Sequence, residues 1–80
     1  MSIQSMTFDE SFGTLPTRLR RLYKRVNVSP ADHDQILDIF GFQYATMESI
    51  PADVWDKVYD FVLSMSTDGS FRPGAYFFGA

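Results

Sequence analysis

Cysteine is missing from all 80 residues, which excludes disulfides and thiolate metal sites. Histidine occurs once, as His33, so a transition metal would be short of good ligands even with Asp32, Asp34 and Asp38 close by in sequence. No apolar run approaches the length of a membrane span. No basic start leads into an apolar stretch, and Asp9 and Glu10 interrupt the N-terminal region, so no secretion signal is read there. A soluble, cytoplasmic protein is the expectation. Also lacking are a nucleophile elbow, a phosphate-binding glycine loop and a metalloprotease helix. No enzyme is expected, and no cofactor.

Aromatic residues, by contrast, are plentiful: eight Phe, four Tyr and one Trp. A chain this short sits near the lower limit for one self-sufficient core, and aromatic area partly offsets that. One domain over 1–80 is expected. Charge is segregated along it. Five of the seven basic residues lie between Arg18 and Arg25, and seven of the ten acids lie between Asp32 and Asp60.

Residues 49–65, SIPADVWDKVYDFVLSM, carry the strongest pattern. Val54, Val58, Phe61, Val62 and Met65 recur at helical spacing, and Trp55 and Tyr59 widen that face. Asp53, Asp56 and Asp60 follow the same period on the other side. Their plain reading is the solvated side of an amphipathic helix rather than catalytic carboxylates. A helix over about 50–65 follows. A second, over about 14–27, has Leu15, Leu19, Leu22, Tyr23 and Val26 on one face, with Thr14 or Leu15 as its cap and Pro16 in its first turn. A third, over about 30–40, opens on Ser29-Pro30-Ala31-Asp32, a strong start signal, and stops at Gly41, expected to be left-handed. Phe42 would clasp that end, and His33 would be solvated in the exposed first turn.

The ends read as irregular. Residues 1–13 suggest an extended arm or a short strand near Met6–Phe8. The tail over 66–80 turns at Asp68-Gly69 and then carries Phe71, Tyr76, Phe77 and Phe78, too apolar for water, as a lid that could pair with the N-terminal arm. The fold expected is all-α: a three-helix domain with aromatic ends packed over it. Its core is expected from Leu19, Leu22, Tyr23, Val26, Ile36, Ile39, Phe40, Val54, Val58, Phe61 and Val62.

Two surfaces suggest function. Trp55, Tyr59, Tyr76, Phe77 and Phe78 place aromatic area beside charge, as protein-binding hot spots do. Arg18, Arg21, Lys24 and Arg25 could neutralise nucleic-acid phosphates. They could equally be a solvated face, or pair with the acidic helix of the same or a second copy. A helix-turn-helix is disfavoured, because the helix over 30–40 would do the reading and carries three Asp but no Arg or Lys.

The basic LRRLYKRV segment, the FGF–SIP linker and the IPADVWDKVYDFV helix, within Arg18 to Met65, resemble the small C-terminal helical module of tailed-phage antirepressors and related phage regulatory proteins. The resemblance implies a phage or prophage origin and regulation by contact. The helix over 30–40 is longer than in such modules, the aromatic tail has no counterpart there, and no functional residue carries over. The combined expectation is a non-enzymatic protein-interaction module, a small regulator or inhibitor of a host protein, with a nucleic-acid binder or a homo-oligomer as alternatives.

Overall fold

The computed structural model describes residues 7–41 and 43–73. Among them are four α-helices: α1 (Phe8–Gly13), α2 (Thr17–Val26), α3 (Pro30–Phe40) and α4 (Ala52–Ser64). A 3-10 turn, Met47–Ser49, precedes α4, and two-residue strands β1 (Ser66–Thr67) and β2 (Ser70–Phe71) follow it. The all-α expectation holds, with one helix more than the sequence pattern suggested. No helix among the described residues is long and apolar enough to cross a membrane.

That additional helix corrects the extended-arm reading over 7–13, residues 1–6 lying outside those described. Thr7 and Glu10 form a capping box: the Glu10 amide donates to Thr7 Oγ1 at 3.3 Å, and the Thr7 amide donates to Glu10 Oε1 at 3.1 Å. Phe8 therefore starts a helix and is not part of a strand. Thr14 ends that helix instead of capping the next, its hydroxyl donating to the Ser11 carbonyl at 2.7 Å. The cap position of α2 belongs to Pro16, whose carbonyl receives the Arg20 amide.

α2 and α3 are joined by only three residues. Asn27 takes the left-handed conformation (φ 57°, ψ 52°), which asparagine tolerates better than most side chains. Ser29 then caps α3, accepting from the Asp32 amide at 3.1 Å, and Pro30 occupies the first turn. At the far end Gly41 has φ −111°, so the expected left-handed stop is not used. A side chain there would fit tightly. A Cβ would sit 3.2 Å from the Leu37 carbonyl oxygen and 3.6 Å from Ile50 Cδ1. Phe42 lies outside the described residues.

β1 and β2 pair antiparallel, Ser66 opposite Phe71 and Thr67 opposite Ser70. Asp68 and Gly69 both have positive φ (53° and 77°), the backbone of a tight turn whose twist matches its strands. The hairpin folds Phe71 back onto the core, where its ring meets Phe61 edge-on at 6.1 Å. Thus 66–71 is a hairpin rather than an extended tail. The proposed pairing of the chain ends, and the lid formed by Tyr76, Phe77 and Phe78, involve residues outside those described.

The core is built around α2. Leu19, Leu22, Tyr23 and Val26 form its buried stripe, facing Ile36 and Leu37 of α3 and Val58 and Val62 of α4. Leu15, Val28, Met47 and Ile50 from the connections close it. Four residues expected inside (Ile39, Phe40, Val54 and Phe61) are only half-buried. On α4 the buried residues are Trp55, Val58 and Val62, so the inner face is centred one position round from the expected one. The cause is volume: the helix turns its one indole inward, and Val54 and Phe61 move to the shoulder. Ile36 has no exposed surface and Leu63 is 45% exposed. Ile36→Ala should therefore cost about 2–5 kcal/mol in urea unfolding, and Leu63→Ala should leave the midpoint almost unchanged.

Candidate functional site

Two constellations of polar side chains stand out, one inside the molecule and one on its surface. The internal one joins three helices. His33 of α3 lies between Ser11 of α1 and Tyr23 of α2, with Ser11 Oγ 2.6 Å from Nε2 and Tyr23 Oη 2.7 Å from Nδ1. Ser11 also donates to Met47 Sδ at 3.7 Å. One proton arrangement uses every donor: Tyr23 donates to Nδ1, Nε2–H donates to Ser11, and Ser11 donates to Met47. The rings of Phe8 and Tyr23 meet the imidazole edge-on at 5.5 and 5.4 Å.

This corrects the solvated reading of His33, which is 1% exposed. The signal was present in its position: His33, Ile36, Leu37 and Phe40 follow helical spacing, placing the histidine on the inner face. A serine beside an imidazole resembles a nucleophile with its base, but the third partner is a phenol, and Ser11 is only 3% exposed. Its hydroxyl is enclosed by His33 and Met47. The arrangement ties helices together. It also separates His33 from Asp34 and Asp38, since both ring nitrogens point inward to other partners. No three His, Asp or Glu side chains converge on a metal position among the described residues.

Burial pushes the His33 pKa down to about 4, the nearby Asp34 opposing it only in part. Burial also pushes the Tyr23 phenol up, and Asp32 adds to that.

The surface constellation follows from the same packing. Because α2 buries its apolar stripe, Arg18, Arg21, Lys24 and Arg25 are exposed and Arg20 is half-buried. Arg18, Arg21 and Arg25 line a groove of about 570 Å³ with Thr17, Leu22 and Tyr59 of α4. A smaller groove of about 220 Å³ on the other flank is lined by Phe12, Thr17, Arg20, Arg21 and Lys24. Thr17 and Arg21 border both. Arg18 crosses to α4, its guanidinium 4.1 Å above the Tyr59 ring and its Nη2 3.1 Å from Asp56 Oδ1. That is the one ion pair among the described residues, and it is open to water, with side chains 61% and 71% exposed. Lys24 lies 5.8 Å from the Phe12 ring.

The expected basic and aromatic sites are thus partly merged. Tyr59 joins Arg18, Arg21 and Arg25 at one groove, while Lys24 falls on the opposite flank. Trp55 leaves the binding surface altogether, at 8% exposure inside the core. Tyr76, Phe77 and Phe78 are outside the described residues. Phe12 beside Lys24 was not anticipated, although Phe8, Ser11 and Phe12 have helical spacing and Thr7–Glu10 is a capping signature. No family model matches the chain, and neither a curated protein nor a solved structure matches it.

The His33 environment gives a pH prediction. The folded pKa lies below the unfolded value of about 6.5, so the unfolded state binds the extra proton between about pH 6.5 and pH 4. The histidine's contribution is complete above pH 6.5 and is lost as the pH falls, by about 3 kcal/mol in all. Chemical unfolding of wild type and His33→Gln across this range should show the steeper decline in wild type. Parallel curves would mean that the ring titrates as it does in water.

Proposed function

We propose that this chain is a non-enzymatic protein-interaction module, a small regulator or inhibitor that acts by contact, and that it engages an acidic protein segment through the groove between α2 and α4. The observation that carries this reading is the row Arg18, Arg21 and Arg25 beside Tyr59, over a floor formed by Leu22. Arg21 and Arg25 make no ion pair among the described residues, so their charge is available to a partner. An arginine row with aromatic and aliphatic walls suits carboxylates carried on an apolar scaffold, because guanidinium forks bind carboxylates and stack on rings. The regulatory part of the reading is supported by the resemblance of residues 18–65 to phage regulatory modules.

Nucleic acid is the second reading, favoured by the two rings, Phe12 and Tyr59, placed beside cations as stacking platforms. Two features favour protein. The chain is acidic overall, with net charge −3. Asp56 also stands at the edge of the groove, where it would repel a continuous phosphate chain.

Fluorescence anisotropy distinguishes the two. A labelled acidic helical peptide should bind, and Arg21→Glu with Arg25→Glu should weaken it at least roughly tenfold while circular dichroism stays helical. Tight binding of a labelled oligonucleotide with a steep salt slope, and none of the peptide, would reverse the assignment.

A further inference from the structure

The geometry points to a second copy of this chain as an occupant of the α2–α4 groove, in a twofold dimer held by the basic stripe of each copy against the acidic stripe of the other. The inference rests on the groove reading above and names a partner for it. Its basis is a charge match between two helix faces that meet where Arg18 pairs with Asp56 and stacks on Tyr59 at the groove. On α2 the exposed stripe is Arg18, Arg21 and Arg25, beside the buried Leu22; on α4 it is Asp56, Tyr59, Asp60 and Leu63. Each stripe spans seven residue steps at helical spacing, so each forms a single helix face of the same length, about 11 Å. One presents cations. The other alternates carboxylates with apolar side chains.

Leu63 strengthens the case. It is the exposed large hydrophobic residue among those described, at 45%, and it lies one turn beyond Tyr59 on the same face. An isolated apolar side chain on a surface is ordinary. This one completes a stripe whose polar members have the charge opposite to that of the neighbouring helix. The ion pair between Arg18 and Asp56 marks the level at which the first members of the two stripes meet.

Symmetry follows from that arrangement. A twofold axis running along the groove lays α2 of each copy over α4 of the other, so cations meet carboxylates twice. An axis across the groove would lay α2 on α2 and set like charges together. The first arrangement is isologous and closes at two copies, so no open-ended polymer forms. The contact is small, below about 1,200 Å² in total, and its ion pairs are water-exposed. The dimer is therefore weak and salt-sensitive.

Sedimentation equilibrium of the full chain over a wide concentration range tests this. Wild type should show a monomer–dimer equilibrium whose dissociation constant rises at least roughly tenfold between about 50 mM and about 500 mM NaCl. Arg21→Glu with Arg25→Glu makes both stripes mainly acidic, Arg18 excepted; Asp56→Arg with Asp60→Arg makes both basic. Each double variant alone should be monomeric, with helicity retained by circular dichroism. Mixed, they should form a one-to-one heterodimer, because the crossed contacts are again mainly between opposite charges, Arg18 against position 56 being the exception. A wild-type chain that stays monomeric at every concentration overturns the proposal. So does self-association that both variants retain unchanged. If the chain is monomeric yet still binds the acidic peptide, the second copy is excluded and the groove reading stands. If both measurements are negative, the groove reading falls as well.

Discussion

The apolar stripe of α2 is the surface on which the rest of the molecule depends. Leu19, Leu22, Tyr23 and Val26 are each at most 3% exposed, and α1, α3, α4 and the hairpin all contribute side chains to the cluster around them. In a chain of this length one helix must serve several neighbours, because there is too little sequence for separate layers. Burying that stripe leaves α2 only one orientation for its remaining side chains. The exposed arginines are thus a product of core formation, and the groove beside Tyr59 is where the same helix meets α4.

Electrostatics then acts on a framework already fixed by packing. The pair between Arg18 and Asp56 is well formed but lies in water, where such pairs contribute little. Stacking of the Arg18 guanidinium on Tyr59 adds a cation–π contact of the order of 0.5–1 kcal/mol at an exposed site. Neither is large enough to determine the fold. Their effect is to hold one arginine across the gap between helices, leaving Arg21 and Arg25 without an ion-pair partner among the described residues and the groove positively charged at its centre.

Where the sequence was informative, it was so through periodicity and caps. Helix α3 matches its expected span, because Ser29 and Pro30 make an unambiguous start and the apolar positions follow at once. The stripe of α2 was equally plain, since Leu and Val alternate there with Arg and Lys on a single period. Less was legible on α4, where seven apolar residues exceed one face. Periodicity alone cannot rank Val54 against Trp55, and the larger ring took the interior. α1 was missed because six residues are too few for a periodic signal, although the Thr7–Glu10 box marks its start. For the candidate site, the arginine row could be read directly, but its pairing with Tyr59 could not. That pairing depends on how α2 lies against α4, which is a tertiary fact.

The Ser11–His33–Tyr23 joint has a consequence for how this sequence can vary. A buried polar group costs little while its partner is present and much more once the partner is gone. Truncating any one of the three strands the remaining hydroxyl or ring nitrogen away from water, whereas exchanging all of them for apolar side chains of similar volume removes every unmet demand at once. Their energies are therefore not additive, and the positions behave as a single unit spread over three helices. In a lineage of this protein the three would be expected to change together or not at all, a signature that links α1 to α3 across 22 positions of chain.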